Sequence, residues 1–105
     1  MTKVIFFKQK GSFSGFSVDG HSTVSAADDE GKLVCAAVSS AAYMAANTIT
    51  EVVGAKADIA LCDAKMVLKV TTKQDECQTV LKGFYIHIEQ LSQQYPDNLA
   101  IITEV

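Results

Sequence analysis

The alternation of apolar and polar residues predicts four strands in two hairpins. Residues 4–8 are apolar on both faces, which is typical of a central strand. Ser12–Asp19 is predicted to be the returning strand, and Gly15, which interrupts its alternation, indicates a bulge. Residues 57–61 and 66–70 alternate in the same way and are separated by a short polar segment. The chain is therefore expected to contain two β-hairpins.

Two helices and a last strand complete the predicted order. Residues 33–53 form a helix of mostly small, apolar residues that Gly54 ends, and such a helix is buried on more than one side. Residues 74–95 carry the clearest amphipathic pattern, Pro96 follows them, and a strand is predicted at 98–105. The order β-β-α-β-β-α-β predicts an α+β fold, with two main helices on a mostly antiparallel sheet of about five strands.

Length and composition predict a single globular domain spanning residues 1–105. Hydrophobic residues make up 49% of the chain and charged residues 20%, which excludes a disordered protein. The longest apolar stretch, 33–46, is interrupted by two serines and is shorter than the roughly 18–20 residues of a membrane span. The apolar segment after Met1 is too short for a signal peptide. A cytoplasmic protein without membrane association is therefore expected.

Charge and cysteine content exclude further classes of function. The net charge is −3 and all nine basic residues are lysines, so direct nucleic-acid binding is not expected. The chain has three cysteines, Cys35, Cys62 and Cys77. An odd number of cysteines at such wide spacing does not fit a disulfide framework. Neither His21 nor His87 lies at metal-ligand spacing from a cysteine or from the other. We expect no metal and no cofactor, and we interpret Cys62 and Cys77 as structural.

His21 and Cys35 are the candidate catalytic pair. Cys35 is predicted in the first turn of the first helix, where the dipole favours a thiolate and the free amides of Cys35 and Ala36 could hold an oxyanion. His21 ends the second strand, beside a predicted loop at 22–31 that is expected to close over a substrate. The end of a strand and the start of a helix can be neighbours in space. The thiol of Cys35 and the imidazole of His21 could then act together as nucleophile and base. The alternative is a cysteine packed as a small apolar side chain.

The sequence around these two residues resembles one protein family. The pair Gly20-His21 and the run Leu-Val-Cys-Ala-Ala-Val-Ser at 33–39 resemble the ribosomal-processing cysteine protease family, Prp. The resemblance implies a small cytoplasmic bacterial endopeptidase of α+β fold. It also implies a homodimer that removes the N-terminal extension of ribosomal large-subunit protein twenty-seven, cutting after an aromatic, Phe-containing motif. It makes His21 and Cys35 the catalytic residues and places Ser39 near the active site.

Three residues are expected to bind substrate: Gly20, Ala36 and Ser39. Ser39 lies one helical turn after Cys35 and so on the same helix face. One departure from the family is Lys32, a position at which its members often carry Asp.

A second hypothesis is a non-catalytic protein-binding module in ribosome assembly, in which Cys35 is merely packed. Rapid modification of Cys35 by iodoacetamide, relative to Cys62 and Cys77, would favour the protease. Tyr85 and Ile86 fall outside the apolar stripe of the second helix and also suggest homodimerisation.

Overall fold

The computed structural model describes residues 1–20, 29–63 and 65–105, which form five strands and two helices in the predicted order. A π-helical segment, Thr48–Val53, continues the first helix. The elements are β1 (Thr2–Gln9), β2 (Ser12–Asp19), α1 (Asp29–Asn47), β3 (Ala57–Cys62), β4 (Lys65–Val70), α2 (Gln74–Gln94) and β5 (Leu99–Glu104). The predicted α+β class is confirmed.

The sheet has the strand order β3-β4-β2-β1-β5. All neighbouring strands are antiparallel except β1 and β5, which run parallel with Thr2 opposite Leu99. The segment predicted as a central strand is confirmed as one, because β1 pairs on both sides. Register places Phe6, Phe16 and Leu68 on one face, where all three are fully buried. Both helices contribute to the core on that face.

The β1–β2 hairpin contains two local departures from regular structure. Lys10 and Gly11 both have positive φ, as a tight two-residue hairpin turn requires. The register shifts after Phe7 and leaves Ser14 without an opposite residue on β1. The observed bulge is therefore at Ser14, directly beside Gly15, where a bulge was predicted. A Cβ atom on Gly15 would overlap the carbonyl oxygen of Leu68. Glycine therefore allows β2 and β4 to approach each other here.

The first helix begins earlier than the sequence pattern predicts. It starts at Asp29 rather than at residue 33, so residues 29–31 are helical and their assignment to a loop is wrong. The carboxylates of Asp29 and Glu30 lie in the first turn, where the helix dipole favours negative charge. The rest of the predicted loop, 22–28, lies outside the described residues. At the other end, Gly54 ends the helical stretch with positive φ, as expected.

The second helix agrees with its predicted bounds, but one of its side chains does not point outward as expected. Tyr85 is half-buried, and its ring centroid lies 5.0 Å from that of Phe6 and 5.4 Å from that of Phe13. Aromatic packing against the first hairpin extends the buried stripe of α2 to this position. Ile86 is exposed, as predicted.

The helical stretch Asp29–Val53 is, by length and composition alone, apolar enough to cross a membrane. It has 25 residues, and its most apolar window of 18 has a mean hydropathy of 1.3. This stretch is longer than the apolar segment of 14 residues at 33–46 from which no membrane span was predicted. Val34, Val38 and Ala42 on one side of the helix belong to the protein core. The core helix of a soluble protein meets the same criterion, so this is weak support for a membrane span.

Candidate functional site

The thiol of Cys35 lies against the end of β2. Gly20, the residue after this strand, is buried, and its carbonyl oxygen accepts a hydrogen bond from Cys35 Sγ at 3.6 Å. The end of the second strand was expected to meet the start of the first helix; it contacts that helix at Gly20, but beyond the first turn. His21 lies outside the described residues, so its contact with Cys35 stays a prediction.

Cys35 is not in the first turn of its helix, and that prediction is wrong. Cys35 lies six positions after Asp29, which is about 9 Å along the helix axis. The dipole effect fades within the first turn. The amides of Cys35 and Ala36 fall in the regular helical pattern, in which they donate to the carbonyls of Gly31 and Lys32. The helix end therefore supplies neither the predicted thiolate stabilisation nor free amides for an oxyanion.

A cavity of about 310 Å³ opens beside Cys35, between α1 and the β3–β4 hairpin. It is lined by Val18, Cys35, Ser39, Ala42, Tyr43, Leu61, Cys62, Asp63, Lys65 and Met66. Cys35 and Ser39 share the helix wall, so their predicted common face is confirmed. Ala36 is exposed and does not appear among the described residues that line this cavity.

The opposite wall is apolar because of strand register. Leu61 pairs with Met66 and Ile59 with Leu68, so all four side chains point to the face that the helices cover. Met66 and Leu68 are buried, but Leu61 and Ile59 are 61% and 43% exposed because β3 is the edge strand. This wall was not predicted from the sequence. The alternation in 57–61 was its only signal, and it did not say which helix would lie opposite.

Two charged residues of the β3–β4 hairpin, Asp63 and Lys65, also line the cavity. Together with the Ser39 hydroxyl they give a mainly apolar cavity a few polar groups, a combination that is typical of small-molecule and side-chain binding sites. The geometry fits an apolar side chain held next to a thiol. Among the described residues, no group of three or more His, Cys, Asp or Glu could hold a metal ion.

The other two cysteines differ from each other. Cys77 is fully buried, and its interpretation as structural is confirmed. Burial raises the pKa of its thiol, and the nearby Glu76 carboxylate adds to this effect while Lys73 opposes it. Cys62 is exposed at the end of β3 and lines the cavity, and its interpretation as a structural residue stays a prediction.

Comparison with known proteins gives matches in sequence family and in fold. The model of the family described as cysteine protease Prp matches residues 1–100. A search of curated protein sequences finds no match.

Solved structures match over nearly the whole chain. One is an essential ribosomal processing protease Prp from S. aureus with a covalently linked product peptide, at 19% identity and a TM-score of 0.85. It covers 99% of this chain and 100% of its own. The same protease with a substrate peptide matches at 18% identity and a TM-score of 0.86, with the same coverage.

A third match is SMU.848 from Streptococcus mutans, at 22% identity and a TM-score of 0.84, covering 99% of each chain. At these identities the structures support the fold, while the family model covers almost the entire sequence. The chain therefore belongs to the cysteine protease Prp family.

Proposed function

We propose that this protein is a cysteine endopeptidase that removes the N-terminal extension of ribosomal large-subunit protein twenty-seven during ribosome assembly. The observation that carries the proposal is a thiol, Cys35, held against the residue before His21 at the edge of a cavity. Membership of a cysteine protease family supports it. So do similar S. aureus structures named ribosomal processing protease, one with a substrate peptide and one with a covalently linked product peptide.

Cys35 is the nucleophile in this proposal, and His21 is the general base and then the general acid. A peptide bond joins His21 to Gly20, so their Cα atoms are about 3.8 Å apart in a trans peptide. The imidazole takes the thiol proton, and the sulfur attacks the scissile carbonyl carbon. The C–N bond then breaks, and the imidazolium gives its proton to the leaving amine. Water hydrolyses the resulting thioester and restores the thiol.

In this scheme His21 is the main group that converts the Cys35 thiol to a thiolate. Cys35 lies beyond the first turn of α1, where the dipole contributes little. The Gly20 carbonyl accepts a hydrogen bond from Sγ and so orients the thiol before substrate binds. Ser39 offers a hydroxyl donor on the same wall, and we assign it to substrate binding. Ala36 has no part in the scheme, because its amide is internal to the helix.

The substrate side chain next to the cleaved bond enters the cavity. Tyr43, Leu61 and Met66 supply apolar contact surface around it. Such a cavity suits the aromatic residue that the family's substrates carry before the cleavage point. Asp63 and Lys65 can pair with polar groups of the flanking peptide.

We further propose that the protein is a cytoplasmic homodimer. Leu33, Met44 and Ile86 are exposed by 59%, 67% and 52%, and apolar groups at a helix surface are available for a second copy. Sedimentation over a concentration series that shows only monomer would contradict the dimer.

The decisive experiment uses a peptide that spans the extension and the mature start of the ribosomal protein from the same host. Mass spectrometry is expected to find one cleavage at the junction, which Cys35→Ala abolishes. Val52→Ala, a substitution at an exposed apolar residue that does not line the cavity, is the matched control and retains cleavage. If the folded protein binds the peptide without cutting it, the proposal fails and a non-catalytic binding module replaces it.

A further inference from the structure

The strand beside the cavity, β3, has an unpaired side. It is the last strand of the sheet and pairs only with β4, and no strand lies on its other side in the part of the chain that the structure describes. We call the side that faces away from β4 the open edge. Proteins usually protect such an edge with charged residues, proline or a covering element. β3 has a single charged residue, Asp58, and no proline, and its residues 58–62 are all exposed. An edge of this kind readily pairs with another extended chain.

The hydrogen-bond pattern determines which backbone groups face the open edge. The amide of Thr71 donates to the carbonyl oxygen of Lys56 at 2.8 Å, so these two residues form a hydrogen-bonded pair. The register of β3 and β4 continues directly from this pair. Hydrogen-bonded and non-hydrogen-bonded pairs alternate along an antiparallel ladder. Every second residue of β3 therefore bonds to β4, and the N–H and C=O groups of the residues between them face the open edge: Ala57, Ile59 and Leu61.

The open edge is continuous with the cavity that contains the thiol. Ile59 and Leu61 point to the face that the helices cover, and Leu61 lines the cavity. Side chains of directly paired residues lie on the same face of a sheet, so a peptide residue opposite Leu61 directs its side chain to the cavity side. The cavity between this wall and Cys35 has about 310 Å³ and would be roughly 8 Å across if it were spherical. Two or three extended residues, at about 3.4 Å each, span that distance.

We propose that the substrate peptide docks as an added strand on the open edge of β3, with the cleaved bond two or three residues beyond the residue that pairs with Leu61. Main-chain hydrogen bonds of an added strand give affinity, and its alternate side chains give specificity. Every second residue of the docked segment contacts Ile59 or Leu61, which selects apolar side chains there. Only a segment free of other structure can pair in this way, so the site takes an unfolded chain end and excludes folded segments. This inference rests on the proposed function, because it takes the substrate to be a peptide cleaved at Cys35.

The test measures amide hydrogen exchange by NMR in Cys35→Ala, which keeps the peptide intact, with and without the peptide that spans the extension and the mature start. In the free protein the amides of Ile59 and Leu61 are expected to exchange fast, because they face the open edge. The amides of Asp58 and Ala60 bond to β4, exchange more slowly and serve as an internal reference. With peptide at about 100 times its Kd, exchange at Ile59 and Leu61 is expected to slow by about 10–100-fold.

A matched pair of substitutions at Ile59 separates the backbone contact from the side chain. Ile59→Pro removes the N–H group that faces the open edge, and proline is accepted on an edge strand in this orientation. Ile59→Ala removes most of the same side chain and keeps the N–H group. The Kd of the peptide, measured by calorimetry in the Cys35→Ala background, is expected to be about 2–10-fold higher for Ile59→Pro than for Ile59→Ala. If Ile59→Pro does not fold, N-methylation of successive peptide residues replaces it, and only every second N-methyl group is expected to raise the Kd.

The outcomes distinguish the docking mode from the protease. Fast exchange at Ile59 and Leu61 in the peptide complex would overturn the added strand, and so would equal Kd values for the two Ile59 variants. Slow exchange at both amides in the free protein that is lost on dilution would also overturn it, because a second copy would then occupy the edge. If wild type cleaves the peptide but these amides stay unprotected, only the docking mode fails. If they are protected but wild type does not cleave, only the protease fails, and absence of binding removes both.

Discussion

Replacing Leu61 with alanine tests whether the apolar wall of the cavity holds a substrate side chain. Leu61 is 61% exposed in the free protein, so a bound side chain can cover about three-fifths of it. Full burial of a leucine side chain contributes about 1.5–3 kcal/mol. Covering that fraction therefore contributes about 1–2 kcal/mol to transition-state binding. We expect kcat/KM of Leu61→Ala to fall by about 5–30-fold, the factor that corresponds to this free energy.

The assay follows cleavage of the junction peptide by quantitative mass spectrometry for wild type, Leu61→Ala and Val52→Ala. Val52 is a matched control, because it is 78% exposed on the π-helical segment and is not a lining residue of the cavity. Thermal unfolding checks the fold, and we expect a loss of about 1 kcal/mol or less, since only two-fifths of Leu61 is buried. Equal kcat/KM for Leu61→Ala and Val52→Ala would refute the assignment of this wall to substrate binding.

Three further substitutions test the base, the sheet and the buried thiol. His21→Ala is expected to lower kcat/KM by about 10²–10⁴-fold, the usual contribution of a general base; wild-type cleavage would remove His21 from this role. Gly15→Ala places a Cβ atom on the Leu68 carbonyl oxygen, so the free energy of unfolding should fall by about 1–3 kcal/mol. An unchanged melting temperature would contradict this close approach. Burial raises the pKa of the Cys77 thiol above its ordinary value near 9.0. Its protonated form therefore stabilises the fold below that pH, and stability is lost as pH rises above it. Cys77→Ala should show a smaller loss of stability between pH 9 and pH 11 in chemical unfolding; identical pH slopes would contradict the raised pKa.

The local part of the candidate site could be predicted from the sequence. Cys35 and Ser39 share a face because they are four residues apart on one helix. α1 covers the sheet that contains β2, so the end of β2 lies near this helix and Gly20 contacts Cys35. Both relations follow from short-range geometry, and both were found without knowing how the strands are ordered.

The hairpin wall and the helix start could not be predicted in the same way. The position of Leu61 opposite Cys35 depends on β3 being the edge strand beside α1, which is a long-range property of strand order. The start of α1 at Asp29 was missed because an apolar period is the main helix signal. The first turn here consists of acidic and polar residues, which carry no such period. Its carboxylates fit a helix N-terminus, but the same residues also occur in loops.

The parallel pairing of β1 with β5 has a consequence for how the chain folds. Thr2 lies opposite Leu99, so this part of the sheet closes only after almost the whole chain has been brought together. Pairings of such long sequence separation slow folding, because the entropy of closing the intervening chain is lost before the contact forms. Until β5 arrives, β1 is an open edge that carries Phe6 and Phe7 and can pair with another unfolded chain. Refolding yield should therefore fall as protein concentration rises, even though the finished sheet covers this edge.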